Sequence, residues 1–215
     1  MSHPVPIEVR TGSGVTVRGH ELAAVGPPVV FLHEPGRDLD AWGPRTAEFA
    51  KKGFKVLALD LPGHGLSDGD EDDWAAPMGE VIGEIGAQWG PLGVVAAGTA
   101  CGPLLEIGAD QGVPVQTMIS PPAFEPDSLR DAAPSMRLLM CGPADDDSHR
   151  ATKTVFDRIR GQRIMITGGD AEQGTDLIVA HGRLLEELVM WFRRNLTAYH
   201  LAWIKEVTST ASAKE

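Results

Sequence analysis

The chain has 215 residues, 42% of them hydrophobic and 23% charged, the composition of an ordinary globular domain rather than of a disordered or fibrous chain. Its 19 basic and 30 acidic residues leave a formal charge of −11, which opposes binding to phosphate backbones and anionic lipid, so neither nucleic acid nor a membrane is expected as a partner. Two cysteines make no disulfide framework, the first residues hold no basic or apolar leader, and no run reaches the ~18 apolar residues of a membrane span, so a cytoplasmic, soluble protein is expected.

Short β-rich runs alternate with helical ones along the chain. Residues 7–10 and 15–20 flank Thr11-Gly12-Ser13-Gly14 and predict an opening hairpin. The unbroken apolar run 29–33 predicts a strand buried on both faces, as do 54–60 and 92–97, with further strands at 113–119, 136–141 and 163–166. Between them the pattern predicts helices at 38–52, 74–89, 103–111, 150–160 and from 176 onward. Residues 120–134 stay unassigned. Helical spacing puts Leu184, Leu185, Leu188, Val189, Trp191 and Phe192 on a core face. Beyond them, Tyr199, Leu201, Trp203 and Ile204 form an apolar cluster that either packs on the chain itself, the preferred reading, or offers a surface to a partner, including a second copy. Residues 1–207 are expected to be a single domain and 208–215 a flexible polar tail.

A βα alternation of this kind builds a mainly parallel sheet, and such sheets hold ligands beyond the carboxyl ends of their strands. There stand His33-Glu34-Pro35-Gly36 after the third strand and Asp60-Leu61-Pro62-Gly63-His64-Gly65-Leu66-Ser67 after the fourth. The two segments resemble the His-Gly oxyanion segment and the Asp-x-x-Gly-x-Gly-x-Ser turn of the α/β-hydrolase superfamily. The likeness continues through Gly98-Thr99-Ala100-Cys101-Gly102, the acidic loop Gly142-Pro143-Ala144-Asp145 and the late loop Gly174-Thr175-Asp176-Leu177, and so covers nearly the whole chain. With no insertion long enough for a lid, it is to small capless esterase-like or dienelactone-hydrolase-like members. The resemblance implies an α/β-hydrolase fold: a mainly parallel central sheet flanked by helices, without a lid domain.

It also implies where a nucleophile, an acid and a histidine would stand, and two of the three are altered. In the G-x-S-x-G frame, Ala100 takes the nucleophile position and has no atom to attack a carbonyl. Gln173 takes the histidine position, and an amide does not cycle a proton near neutral pH. Asp145 takes the acid position, with Asp146 and Asp147 as substitutes, while His33, Glu34 and the backbone N–H of Cys101 belong to the oxyanion pocket. A second match to the pattern, centred on Ser67, lacks the strand-turn-helix context of an elbow and reads as a turn residue. His181 lies two helical turns beyond Gln173, and His149 opens a helix.

The expected protein is therefore a catalytically degenerate homologue that binds a small ligand or a protein partner. The alternative is a small carboxylic-ester hydrolase that uses Ser67, Cys101 or His181, or one whose serine has been replaced. Action of His33 or His64 on a bound substrate is a third reading. No dinucleotide or phosphate-loop fingerprint and no metal-spaced cluster is present, so no cofactor and no metal are expected.

Overall fold

A computed structural model describes residues 3–22, 25–169 and 172–212. Strands β1 (Val5–Arg10) and β2 (Thr16–Leu22) form the antiparallel hairpin predicted around the Gly12–Gly14 turn, and β2 pairs antiparallel with β4 (Lys55–Leu59). From there the sheet is parallel. β3 (Pro28–Leu32) lies between β4 and β5 (Gly93–Ala97), and β6 (Val115–Ile119), β7 (Met136–Cys141) and β8 (Arg163–Thr167) follow in sequence order. The eight strands thus run β1-β2-β4-β3-β5-β6-β7-β8, with the order reversing between β3 and β5, the place where a parallel sheet opens a crevice.

The unbroken apolar runs are explained by cover on both faces. On one side Val30, Leu57, Val94 and Met118 meet Met78, Val81, Ile82 and Ile85 of α2 (Ala75–Trp89) and Val155 of α4 (Asp147–Arg158). On the other, Val29, Phe31, Val95 and Met140 meet Phe49 of α1 (Arg45–Ala50), Leu177 of α5 (Gly174–Ala180) and Leu188, Val189 and Phe192 of α6 (Gly182–Asn195). Phe31 also makes edge-on contacts with Trp42 and Phe49, at centroid separations of 5.2 and 5.3 Å.

The helical expectations need four corrections. The stretch 38–52 splits into a 3-10 turn, Leu39–Trp42, and α1, because Gly43 (φ 51°) and Pro44 interrupt it. The stretch 103–111 is no helix. It gives two 3-10 turns, Pro103–Leu105 and Ala109–Gln111, because a window opened by Pro103 and interrupted by Gly108 is too short to offset helix nucleation. The segment from 176 onward is three helices, not one: His181 is extended between α5 and α6, and α7 (Thr197–Ser212) follows Leu196. Finally, self-packing of the C-terminal cluster fails for most of it. Trp203 lies against Gly90, but Tyr199, Leu201 and Ile204 are 43, 52 and 39% exposed. α7 continues through 208–212 of the expected tail, and 213–215 lie outside the described residues. The unassigned 120–134 holds the short helix α3 (Pro126–Arg130). Among the described residues no helix is long and apolar enough to cross a membrane.

Candidate functional site

The turns after β3 and β4 are locked together by hydrogen bonds. His33 is fully buried; its Nδ1–H donates to the Glu34 carbonyl at 2.9 Å, which leaves Nε2 to accept from the Leu61 N–H at 3.0 Å. A ring so used is neutral, and burial pushes its pKa down, against the weaker opposing effects of the Glu34 carbonyl and then of Asp60. Asp60 accepts from the Leu39 and Leu66 N–H groups at 2.8 and 2.9 Å. Gly65 (φ 53°) packs against that carboxylate so closely that a Cβ there would lie 2.2 Å from Oδ2. Ser67 Oγ accepts from the Arg18 N–H and donates to the Asp60 carbonyl, both at 2.9 Å, so its hydroxyl ties the turn to β2. His64 is buried, its Nδ1 hydrogen-bonded to the Pro62 carbonyl at 2.9 Å. These groups hold backbone.

The bend after β5 differs from the expectation in register. Its left-handed residue is Gly98 (φ 57°), two positions before Ala100, because β5 stays paired only as far as Ala97↔Ile119. Ala100 and Cys101 sit past the apex, inside the 3-10 turn Gly98–Cys101, and both are fully buried. The Cys101 thiol donates to the Ala96 carbonyl at 3.3 Å, and burial pushes its pKa up, so it is a protonated core group rather than a pocket group. No long helix follows the bend, since Pro103 opens a second short 3-10 turn. The sequence carried a signal for this register: Ala96 and Ala100 are the small residues that flank a bend at Gly98.

Glu34 runs between the bend and the loop after β8. Its Cβ lies 3.0 Å from where a Cβ on Gly98 would be, and its Oε1 lies 2.7 Å from the corresponding point on Gly174. The carboxylate accepts from the Thr175 hydroxyl at 3.0 Å, from Arg37 Nη1 at 3.1 Å and from the Thr175 N–H at 3.3 Å. Arg37 also reaches Asp176 at 2.9 Å. The space between the bend and the loop after β8 is therefore occupied by a tethered, ion-paired side chain.

In the same loop Gln173 Nε2 donates to both oxygens of Asp146 at 3.0 Å each, and a carboxylate that only accepts fixes the amide in that orientation. The acid that meets Gln173 is thus Asp146, which also accepts the Ser148 N–H at the start of α4; Asp145 is exposed beside it. Asp147 is exposed and pairs with Arg150. His181 ends α5 and pairs through Nε2 with Glu172 at 3.0 Å. One neighbour escaped the sequence reading. Ser120, at the end of β6, is the one non-glycine with positive φ (48°) among the described residues, and its Oγ accepts the Gly174 N–H at 3.1 Å. The residue before a proline is biased towards extended backbone, so sequence pointed the other way. His149 Nδ1 lies 3.5 Å from Cys141 Sγ, a thiol that burial pushes up to about 11. Among the described residues no group of three or more His, Cys, Asp or Glu could hold a metal ion.

Beside the bend lies a cavity of about 950 Å³. Thr99, Gly102 and Pro103 form one wall, Trp74 and Ala75 at the start of α2 a second, and Phe124 and Ala133 from the 120–134 excursion a third.

No known family's sequence profile matches the chain. Over 42 residues it is 43% identical to the (E)-2-((N-methylformamido)methylene)succinate hydrolase of Acinetobacter baylyi, a stretch that covers 20% of this chain and only 16% of that enzyme. Among solved structures it is similar over 90% of its length to an esterase of Pyrococcus furiosus (91% of that chain, TM-score 0.75, 14% identity). It is likewise similar to a dienelactone hydrolase of Anabaena variabilis (90% of this chain and 98% of that one, TM-score 0.69, 15% identity). A predicted hydrolase of Thermoplasma acidophilum matches 89% of this chain over its whole length (TM-score 0.70, 15% identity). At such identities the likeness is one of architecture, and on it the chain has the α/β-hydrolase fold.

Proposed function

We propose that this protein is a catalytically silent member of the α/β-hydrolase fold that binds a small ligand in the cavity beside Gly98. One observation carries the reading: Gly98 stands at the bend where a nucleophile would be, and Asp146 and Gln173 stand for the acid and the histidine, with the Glu34 carboxylate between Gly98 and the loop that holds Gln173. A serine hydrolase needs a hydroxyl at the bend and an imidazole to take its proton. Glycine supplies no nucleophile, and the amide of Gln173 supplies no base. An anionic Glu34 also opposes the negative oxygen of a tetrahedral intermediate, which such sites stabilise with donors.

The displaced-group alternative draws no support from the geometry. The Ser67 hydroxyl is used as both donor and acceptor, Cys101 is sealed in the core as a thiol, and His181 faces Glu172. Nor does His33 offer a base to a bound molecule, since the Glu34 carbonyl and the Leu61 N–H engage both of its ring nitrogens, and His64, held by the Pro62 carbonyl, lines no part of the cavity.

The test is hydrolysis of short-chain p-nitrophenyl esters. The wild-type chain is expected to turn over no faster than buffer, and the triple variant Glu34→Gly, Gly98→Ser, Gln173→His is expected to gain measurable esterase activity. Turnover by the wild-type chain that is lost in Ser67→Ala or His181→Ala would overturn the reading in favour of an active hydrolase.

A further inference from the structure

We infer that the cavity beside Thr99 takes an organic cation, an ammonium group carried on an apolar body. The inference rests on the ligand-binding reading above and adds the chemistry of the ligand.

The cavity opens to solvent on one side, and most of its lining is apolar. Leu105 and Ile107 lie along one side, and the half-buried rings of Trp74 and Phe124 come from elements on different sides of it. At about 950 Å³ it has the volume of a site for a compact organic molecule rather than for a bare ion. Its charged lining is of one sign: Asp73, Glu106 and Asp131 reach it, and no Lys, Arg or His does. Asp131 is neutralised from outside by Arg130, whose Nε and Nη2 lie 3.0 and 3.2 Å from its two oxygens. Asp73 and Glu106 have no ion pair among the described residues.

Exposed carboxylates are ordinarily a solvated face, and two of them alone would mean little. Here they edge a low-dielectric hollow in a chain of charge −11, where walls of one sign concentrate the field and favour a positive guest. The aromatic pair adds a second, independent attraction, because a cation over the face of a ring is held by the ring quadrupole. A hydrated inorganic cation gains nothing from Leu105, Ile107 or Phe124, and a neutral apolar guest gains nothing from Asp73 or Glu106. A carboxylate or phosphate meets repulsion on both walls. A cation with an apolar body is the guest that uses every part of the lining.

Three probes of one length separate the possibilities: 4-phenylbutylammonium, 4-phenylbutanol and 4-phenylbutyrate, titrated calorimetrically against the full chain at neutral pH and low salt. The ammonium is expected to bind about tenfold more tightly than the alcohol, and the carboxylate most weakly. In the double variant Asp73→Asn, Glu106→Gln that preference is expected to vanish while alcohol binding stays; in Trp74→Ala all three weaken. An alcohol that matches the ammonium, or a carboxylate that exceeds it, overturns the inference and leaves ligand binding standing. If none of the three binds at concentrations up to about 10 mM, both the inference and the ligand-binding part of the proposed function fall.

Discussion

Two turns at the same end of the sheet have met different fates. The turn after β4 carries the whole Asp-x-x-Gly-x-Gly-x-Ser pattern, and its polar side chains are engaged: Asp60 by Leu39 and Leu66, His64 by the Pro62 carbonyl, Ser67 by Arg18 and its own turn. The turn after β5 keeps the left-handed bend of the pattern but not its chemistry, with Gly98 at the apex and Cys101 buried. Residues that hold the backbone are bound to the fold by stability, whereas residues that only serve a reaction are bound by that reaction alone, which on the proposed reading this chain does not carry out. The contrast can be broken at either turn.

The largest effect is expected in the intact one. Asp60→Ala takes the acceptor from the Leu39 and Leu66 N–H groups and the packing partner from Gly65, and should cost about 3 kcal/mol in denaturant unfolding; a loss below about 1 kcal/mol would show that the turn is not held as described. Next comes Gly98→Ser, which puts a side chain on left-handed backbone against Glu34 Cβ. It should cost about 1–2 kcal/mol and, without a base at Gln173, confer no ester turnover.

The third prediction concerns pH. Burial holds the pKa of His33 below its ordinary 6.5, so below pH 6.5 the unfolded chain binds a proton that the native state does not. Stability should therefore fall as pH drops from 6.5 towards the folded-state value, and His33→Gln should flatten that slope in denaturation series at stepped pH. An unchanged slope would place the titration elsewhere. The smallest effect belongs to the exposed amide pair. Gln173→Ala removes the bonds to Asp146 at the surface and should change stability by no more than about 0.5 kcal/mol. A substantially larger loss would make Gln173 a structural residue like Asp60.

The strands are readable because each of the runs from 29 to 33, 54 to 60 and 92 to 97 is covered on both faces, and continuous burial leaves an unmistakable apolar signature. The intact turn is readable too, since glycines such as Gly65 are demanded by close approach. What escapes depends on length and tertiary contact. The 103–111 stretch carries helix-forming residues, yet too few of them run uninterrupted between Pro103 and Gly108. The bend lies two residues from its expected place because Ala96, Gly98, Ala100 and Gly102 are all small, and only the end of β5 pairing chooses between the frames. The reach of Glu34 to Thr175 spans 141 residues of chain and has no local sign. Nor does Arg137, buried in the middle of an apolar strand, where its guanidinium donates to the Leu104 and Ala133 carbonyls and burial pushes its pKa down to about 10.

The proposed silence of the site is tested most directly by intact-mass spectrometry of the wild-type chain after prolonged exposure to a fluorophosphonate, with the triple variant Glu34→Gly, Gly98→Ser, Gln173→His beside it. The account predicts an unmodified wild-type mass and a single adduct on the variant, carried by the hydroxyl that the Gly98→Ser substitution introduces. A stoichiometric adduct on any side chain of the wild-type protein would contradict it.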